Sequence, residues 1–335
     1  MILIPNDCHQ PQLNLAAEEY ILNQLQFDEP VLFFFVNDPS IIIGRNQNTM
    51  EELDNQFVRT RGIQVVRRLS GGGAVYHDRG NLCFSFIFPG ALGLKPNFES
   101  FTRPIVNALN QLGIPAVLSG RNDILVNGAK ISGNAYYRNE NGAVCHGTIL
   151  FNTDLSMLSR ALKPNREKLS TKGVRSVRTR VTNLKPLLPE IENVEALETR
   201  LTELISTEVE NFQRYHLTES NLAGIEIIAR KRYYTDTWNY GQSPLFNLRR
   251  RKRFSFGEVD ARLNVEAKTI RSIRLFGDFF SERDPAILED ALTDVAFERT
   301  AIEERLQAIP LDSVLPDWSI TEASDFFLGE KQAAS

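Results

Sequence analysis

A chain of 335 residues, 42% hydrophobic and 24% charged, has the composition of a globular protein, and its length favours two domains, or one large and one small. Its formal net charge of -4 excludes a global pull toward nucleic acid, so any anion site must be local. Cys8, Cys83 and Cys145 are too few and too widely spaced for a disulfide framework or a zinc rhythm, and no stretch reads as a signal peptide or membrane span, so a reducing cytoplasm is expected.

In chain order, "NLAAEEYILNQL" reads as a helix with Asn14 as its N-cap and Leu15, Leu22 and Leu25 near one stripe. Glu18 falls on that stripe, where a carboxylate either reaches solvent from the boundary or faces a pocket. "VLFFFV" and "SIIIGRNQ" read as strands joined by "NDP", followed by the helix-like "MEELDNQFVRTRG" ending at Gly62. "NFESFTRPIVNALNQLG" predicts a helix stopped by Gly113, with Pro104 near its first turn. "DILV", "KISGNAYY" and "VCHGTILF" predict strands, with "NG" and "NENG" as hairpin turns.

Residues 154–189 read as a basic loop, followed by helices at "VEALETRLTELISTEVENF" and "LAGIEIIARKRYYT". A domain boundary is expected within "TWNYGQSPLFNLRRRKRF", with residues 247–253 as a basic linker. Strands "FSFGEVDARLNV" and "KTIRSIRLFGDFF" and helices "PAILEDALTDV" and "AIEERLQAI" then predict a compact α+β unit, and "GEKQAAS" a frayed terminus.

"RRLSGGGAVYHDRGN" lies between two strand-like runs. It lacks the Gly-Lys-Ser/Thr of a P-loop, and Tyr76 stands where a dinucleotide fingerprint needs its third glycine. Two readings remain: a glycine bulge between strands, or backbone N–H groups turned toward an anion with Arg67 and Arg68 adding charge. Lys130, between Gly128 and Gly133, is either solvated or leans over a pocket floor as a fixed charge. Asn122 and Asp123 are either turn chemistry or ligands to Mg²⁺. Neighbours on a strand, Cys145 and His146 point to opposite faces and are poorly placed as nucleophile and base; His146 suits a pocket wall and Cys145 a core. The basic loop is either a solvated segment or a lid.

Taken in order, "RRLSGGGAVYHDRGN", "GRNDILVNGAKISGNAYY", "HGTILFNTDL", "KGVRSVRTRVTNL" and "WNYGQSP" resemble the motifs of single-chain bacterial lipoate-protein ligases, over nearly the whole chain. The resemblance implies an α+β fold. Residues 1–246 would form a mixed or antiparallel-sheet catalytic domain of the class II aminoacyl-tRNA synthetase and biotin/lipoate ligase type. Residues 254–335 would form a small α+β accessory domain. It also implies activation of lipoic acid by ATP with Mg²⁺ to lipoyl-AMP, then transfer to a lysine of an acceptor domain such as the glycine-cleavage H protein or an E2 subunit of a 2-oxoacid dehydrogenase.

Carried onto this sequence, the resemblance assigns Arg68, Gly73, Ala74, Val75 and Tyr76 to ATP, and Lys130 to both ATP and lipoate as the catalytic cation. Ser70, Gly71, Gly72 and His146 would line the acyl channel, with Glu18 joining them and Asp123 as the candidate Mg²⁺ ligand. A cytoplasmic monomer without nucleic-acid or membrane partners is expected. The alternative is an octanoyl or lipoyl transferase of the same fold, working through a cysteine thioester without ATP. The run from Arg249 to Arg253 either steers acidic acceptors or is a solvated linker.

Overall fold

The computed structural model describes residues 1–90, 98–119, 122–162, 181–241 and 245–329. Two compact units emerge: the first holds residues 1–43, 49–67 and 74–239, and the second holds residues 44–48, 68–73 and 240–335.

In the first unit the strands are β1 (Ile2–Ile4), β2 (Val31–Val36), β3 (Ser40–Ile43), β4 (Gln64–Arg67), β5 (Val75–His77), β6 (Asn81–Pro89), β7 (Ala116–Ser119), β8 (Asp123–Val126), β9 (Ala129–Asn139), β10 (Gly142–Leu150) and β11 (Gln213–Arg214). Eight of them form a mixed sheet in the order β11-β1-β2-β6-β10-β9-β8-β7, parallel at β11-β1-β2 and antiparallel from β2 onward. β4-β3-β5 form a second sheet, so "VLFFFV" and "SIIIGRNQ" are neighbours in sequence but belong to different sheets.

"VLFFFV" is apolar throughout because both faces of its sheet are covered. Leu32, Phe34 and Val36 pack with Ile105 and Leu109 of helix Phe98–Gln111 and with Leu197 and Leu201 of helix Val194–Thr207. Val31, Phe33 and Phe35 pack with Leu15, Ile21 and Leu22 of helix Pro11–Gln24. That first helix starts earlier than expected: Pro11, which has no N–H to lose, takes its first turn. Asn14 is therefore no cap; buried inside the helix, it donates to Cys8 O at 3.0 Å and Asn37 Oδ1 at 2.8 Å.

The expected helix at residues 50–62 is two short ones, Thr49–Glu52 and Asn55–Thr60, the second capped by Asp54 accepting from Phe57 N. Pro104 sits inside its helix rather than in the first turn. The "NG" hairpin forms as read, with Asn127 at φ 51° and Gly128 at φ 79°, the double left-handed turn that suits twisted strands. Of the basic loop, residues 163–180 lie outside the described residues, and Leu155–Ala161 before them is helical.

On helix Val194–Thr207, burial first, then Asp7 and Glu195, push the Glu198 carboxyl up from 4.5 to about 7. A carboxyl raised in the folded state favours folding while protonated; that contribution is complete below pH 4.5 and lost as pH rises through about 7. Glu198→Gln is accordingly expected to raise the melting temperature above pH 7 by roughly 2–4 °C, as ~1 kcal/mol does in a unit of this size. The difference should vanish in acid, which thermal denaturation against pH will check.

The second unit carries an antiparallel sheet of β12 (Leu248–Phe254), β13 (Gly257–Glu266), β14 (Thr269–Gly277) and β15 (Val295–Ala296). Residues 247–253 are thus not a linker, because all but the first form strand β12. Three of its five cations pair with carboxylates: Arg249 with Asp260 and Arg251 with Glu258 on β13, and Arg253 with Asp278 just past β14. Arg250 donates to Phe327 O and Leu328 O, and Lys252 lies over the Phe254 ring. Helices Ala286–Leu292 and Arg299–Gln307 follow the prediction. A further helix, Ile320–Leu328, is capped by Ser319 and ended by left-handed Gly329, and it packs Phe327 into the core of this unit. The residues after Gly329, expected to fray, lie outside the described ones. Among the described residues no helix is long and apolar enough to cross a membrane.

Candidate active site

One level of the large sheet brings Phe33, Ser85, His146 and Ala135 side by side across β2, β6, β10 and β9. Above this row Glu18 descends from the first helix. Its carboxylate accepts from the Ser85 hydroxyl and lies 3.1 Å, by both oxygens, from His146 Nδ1. At 5% exposure Glu18 is no boundary residue reaching solvent. Burying a carboxylate among Leu15, Phe33, Cys83 and Val144 is costly, and the Ser85 and His146 bonds are what compensate it. Nδ1–H directed at Glu18 fixes the tautomer and orientation of the His146 ring.

One row along, about 7 Å at strand spacing, Phe35, Cys83, Thr148 and Gly133 follow, Gly133 N lying 3.5 Å from Thr148 Oγ1. A Cβ on Gly133 would meet Lys130 Nζ at 2.9 Å, so this glycine leaves the space that the ammonium occupies. Lys130 thereby reaches over the face that carries His146. Its Nζ pairs with Asp123 Oδ1 at 2.7 Å, with the two side chains 34% and 36% exposed. Thr182, just past the undescribed stretch, donates its N–H to Lys130 O at 2.9 Å. Asn122 is occupied with the strand, its Nδ2 donating to Asn134 O at 2.5 Å. Among the described residues, no group of three or more His, Cys, Asp or Glu could hold a metal by itself.

The two arginines of "RRLSGGGAVYHDRGN" part company. Arg67, in the first unit, is buried, and its guanidinium donates to Trp238 O at 2.8 Å and Thr49 Oγ1 at 2.6 Å. Of the two readings, the hydrogen bonds given for Arg67 favour a role in the fold. Arg68, in the second unit, is wrapped by its own loop, with Nε donating to Ser70 Oγ at 2.9 Å and Nη2 to Gly71 O at 2.6 Å and Gly73 O at 2.9 Å.

The glycines therefore turn carbonyls toward a cation in addition to whatever their N–H groups face. Gly72 holds φ 91°, and a Cβ on Gly71 would lie 2.4 Å from Phe279 O, so both positions require glycine for the fold. Around Gly73 an added Cβ would meet nothing within 4 Å, so the fold does not demand a glycine there. Ala74 follows, and then Val75 and Tyr76 in β5, paired with Ile42 and Ile41. Tyr76 is buried, and its hydroxyl is pushed up to about 12 by burial and then by Asp78 and Asp154.

Cys145 and His146 do point to opposite faces. Cys145 is fully buried, which pushes its thiol far up, with Glu18 adding to the shift. Cys83 is buried and pushed up in the same way. A nucleophile must reach the thiolate, and burial disfavours that form at both positions. Cys145→Ala is expected to keep wild-type turnover, checked by steady-state rates; loss of turnover in a folded variant would contradict this. Ser85 and Thr148 were not singled out from the sequence. The signal for Ser85 was a lone hydroxyl among the phenylalanines of "CFSFIF".

The chain is similar to known proteins along most of its length. Residues 10–206 match the family model described as lipoyl protein ligase A/B catalytic domain, and residues 243–327 match bacterial lipoate protein ligase C-terminus. The chain is 43% identical to lipoate-protein ligase LplJ of Bacillus subtilis over 314 residues, covering 93% of this chain and 95% of that one. It is also 43% identical to lipoate–protein ligase 1 of Staphylococcus aureus over 306 residues, covering 91% and 93%. Among solved structures, LipL1 of P. falciparum in complex with lipoate superposes with a TM-score of 0.81 at 27% identity, covering 98% of this chain and 99% of that one. Lipoate-protein ligase A bound with ATP gives 0.61 at 30%, covering 72% and 98%. An archaeal bipartite ligase from Thermoplasma acidophilum, studied with its E2 lipoyl domain, gives 0.63 at 30%, covering 74% and 98%. With a catalytic model spanning more than half its length and relatives matched almost end to end, the chain belongs to the lipoate-protein ligase family.

Proposed function

We propose that this enzyme joins lipoate to ATP, releasing pyrophosphate, and passes the lipoyl group from lipoyl-AMP to one lysine of an acceptor domain. The observation that carries the reading is Lys130 reaching over the sheet face that holds Glu18 and His146, one row away. Attack of a carboxylate on the α-phosphorus crowds two anions, and a fixed ammonium lowers that barrier without moving a proton. Lys130 is thus assigned to lipoate and the α-phosphate. Glu18 and His146, set among Phe33, Cys83 and Val144, are assigned to the acyl channel with Ser70, Gly71 and Gly72. Arg68 and the segment Gly73, Ala74, Val75 and Tyr76 are assigned to ATP, and the unneeded glycine at position 73 supports close approach of a ligand to the backbone.

Mg²⁺ fits in a limited way. Asp123 supplies one hard carboxylate oxygen, already paired with Lys130, and nucleotide phosphates and water would have to complete the shell. When bound, the ion would neutralise phosphate charge. The thioester alternative has no support from Cys83 or Cys145, both buried. Acceptors are proposed to be lipoyl domains of the E2 or glycine-cleavage H-protein kind, met by a cytoplasmic monomer. Three of the five β12 cations pair with carboxylates, which reduces the charge left there to steer them. The basic loop read at 154–189 is proposed as a lid that excludes water, and residues 163–180 of it lie outside the described residues. Incubating the protein with an acceptor domain, lipoate and ATP should add one lipoyl group to a single acceptor lysine by mass spectrometry. No mass change with ATP, or the same change without it, would refute the reading.

A further inference from the structure

Trp238 and Asn239, in "WNYGQSP", have no part in the chemistry above, yet half-buried Trp238 and buried Asn239 meet in one knot with buried Arg67 and Thr49, all within the first unit. β4 is an edge strand bonded on one side to β3. On its open side two side chains take the place of a neighbouring strand. Asn239 Oδ1 accepts from Arg67 N at 2.9 Å, and Trp238 Nε1 donates to Arg67 O at 2.8 Å. The Arg67 guanidinium closes the ring on Trp238 O, Asn239 O and Thr49 Oγ1, and the Thr49 hydroxyl donates onward to Asn239 O at 2.6 Å.

The knot is itself anchored. Asn239 Nδ2 donates to Tyr233 O at 2.7 Å, in the π-helical turn Ala229–Tyr233. The Tyr233 hydroxyl and Arg232 both bond Glu19, next to Glu18 on the first helix. Such a turn spends an extra residue to redirect side chains. Here it aims Tyr233 and Arg232 at Glu19 while its end feeds the knot.

Arg67 is the last residue before Arg68 and the triple glycine. We propose that Asn239, Trp238 and Thr49 are positioning residues for nucleotide binding: by holding both the N–H and the C=O of Arg67 they set where Arg68 and the glycine loop begin. This inference rests on the assignment of Arg68 and the loop to ATP. They act through the main chain of Arg67.

Thr49→Val keeps the shape but removes the hydroxyl that Arg67 and Asn239 share, whereas Thr49→Ser keeps it. Titrating the whole protein with ATP and, separately, with lipoate should show about tenfold weaker ATP binding in Thr49→Val, the scale of one buried bond to a charged group. Lipoate binding should be unchanged, and Thr49→Ser should restore ATP binding. Trp238→Phe, which loses only the indole donor and the ring's edge, should weaken ATP binding in the same direction and serves if Thr49→Val does not fold. Unchanged ATP binding in the folded variants, or equal weakening of both ligands with a lowered melting temperature, would overturn the proposal. A wild-type protein that binds lipoate and no ATP would instead defeat the nucleotide reading, and this inference with it.

Discussion

Lys130→Ala is expected to lower lipoate-dependent ATP–pyrophosphate exchange by about 10²–10³-fold, the usual cost of removing one preorganised charge from a developing anionic centre. The fold should survive. The Lys130–Asp123 pair is about one-third exposed on each side, and exposed pairs of this kind contribute roughly 0–1 kcal/mol. Lys130→Arg is expected not to rescue activity. A planar guanidinium is bulkier than the ammonium that fits against Gly133, where the clearance to an added Cβ is 2.9 Å. Steady-state exchange with melting curves on the same samples checks the prediction, and exchange within a few-fold of wild type in folded Lys130→Ala would contradict it.

Gly44→Ala should be nearly as damaging for a different reason. A Cβ there would sit 1.9 Å from Gly72 O and 2.9 Å from Gly72 C, backbone atoms that cannot swing aside as a side chain would. The loop carbonyls that surround Arg68 would have to move, and a misplaced binding group costs on the order of 10²-fold in rate. Exchange should fall by that order and the melting temperature should drop. Gly73→Ala is the internal control, expected to melt as wild type does, because no atom lies within 4 Å of its added Cβ. A Gly44→Ala enzyme with normal exchange would show that the Gly72 turn does not matter to the reaction.

Much of the first unit is legible because local chemistry and global packing agree. "VLFFFV" lacks alternation for the physical reason that helices cover both faces of its sheet, and "NG" turns because both residues adopt positive φ. Lys130 could be singled out because Gly133 stands three residues on, and the gap left by that glycine is where the ammonium lies. Other features depend on partners far away in the chain. Glu18 looks like a boundary carboxylate until Ser85 and His146, 67 and 128 residues on, are brought over it. Arg67 and Arg68 are indistinguishable as letters; Asn239, 172 residues away, claims the first for the fold. A run of arginines reads as linker because the carboxylates that pair with it, Asp260 and Glu258 on β13 and Asp278 just past β14, come later in the chain. The separation of Cys145 from His146, by contrast, needed only the period of a strand.

The claim on which the rest depends is that the carboxylate is activated by the nucleotide. Exchange of labelled pyrophosphate into ATP, measured with and without lipoate and with no acceptor present, tests it most directly. Exchange that requires lipoate, persists in Cys145→Ala and disappears in Lys130→Ala is the predicted result. Acceptor acylation from a thioester donor, in an enzyme that supports no exchange, would contradict it.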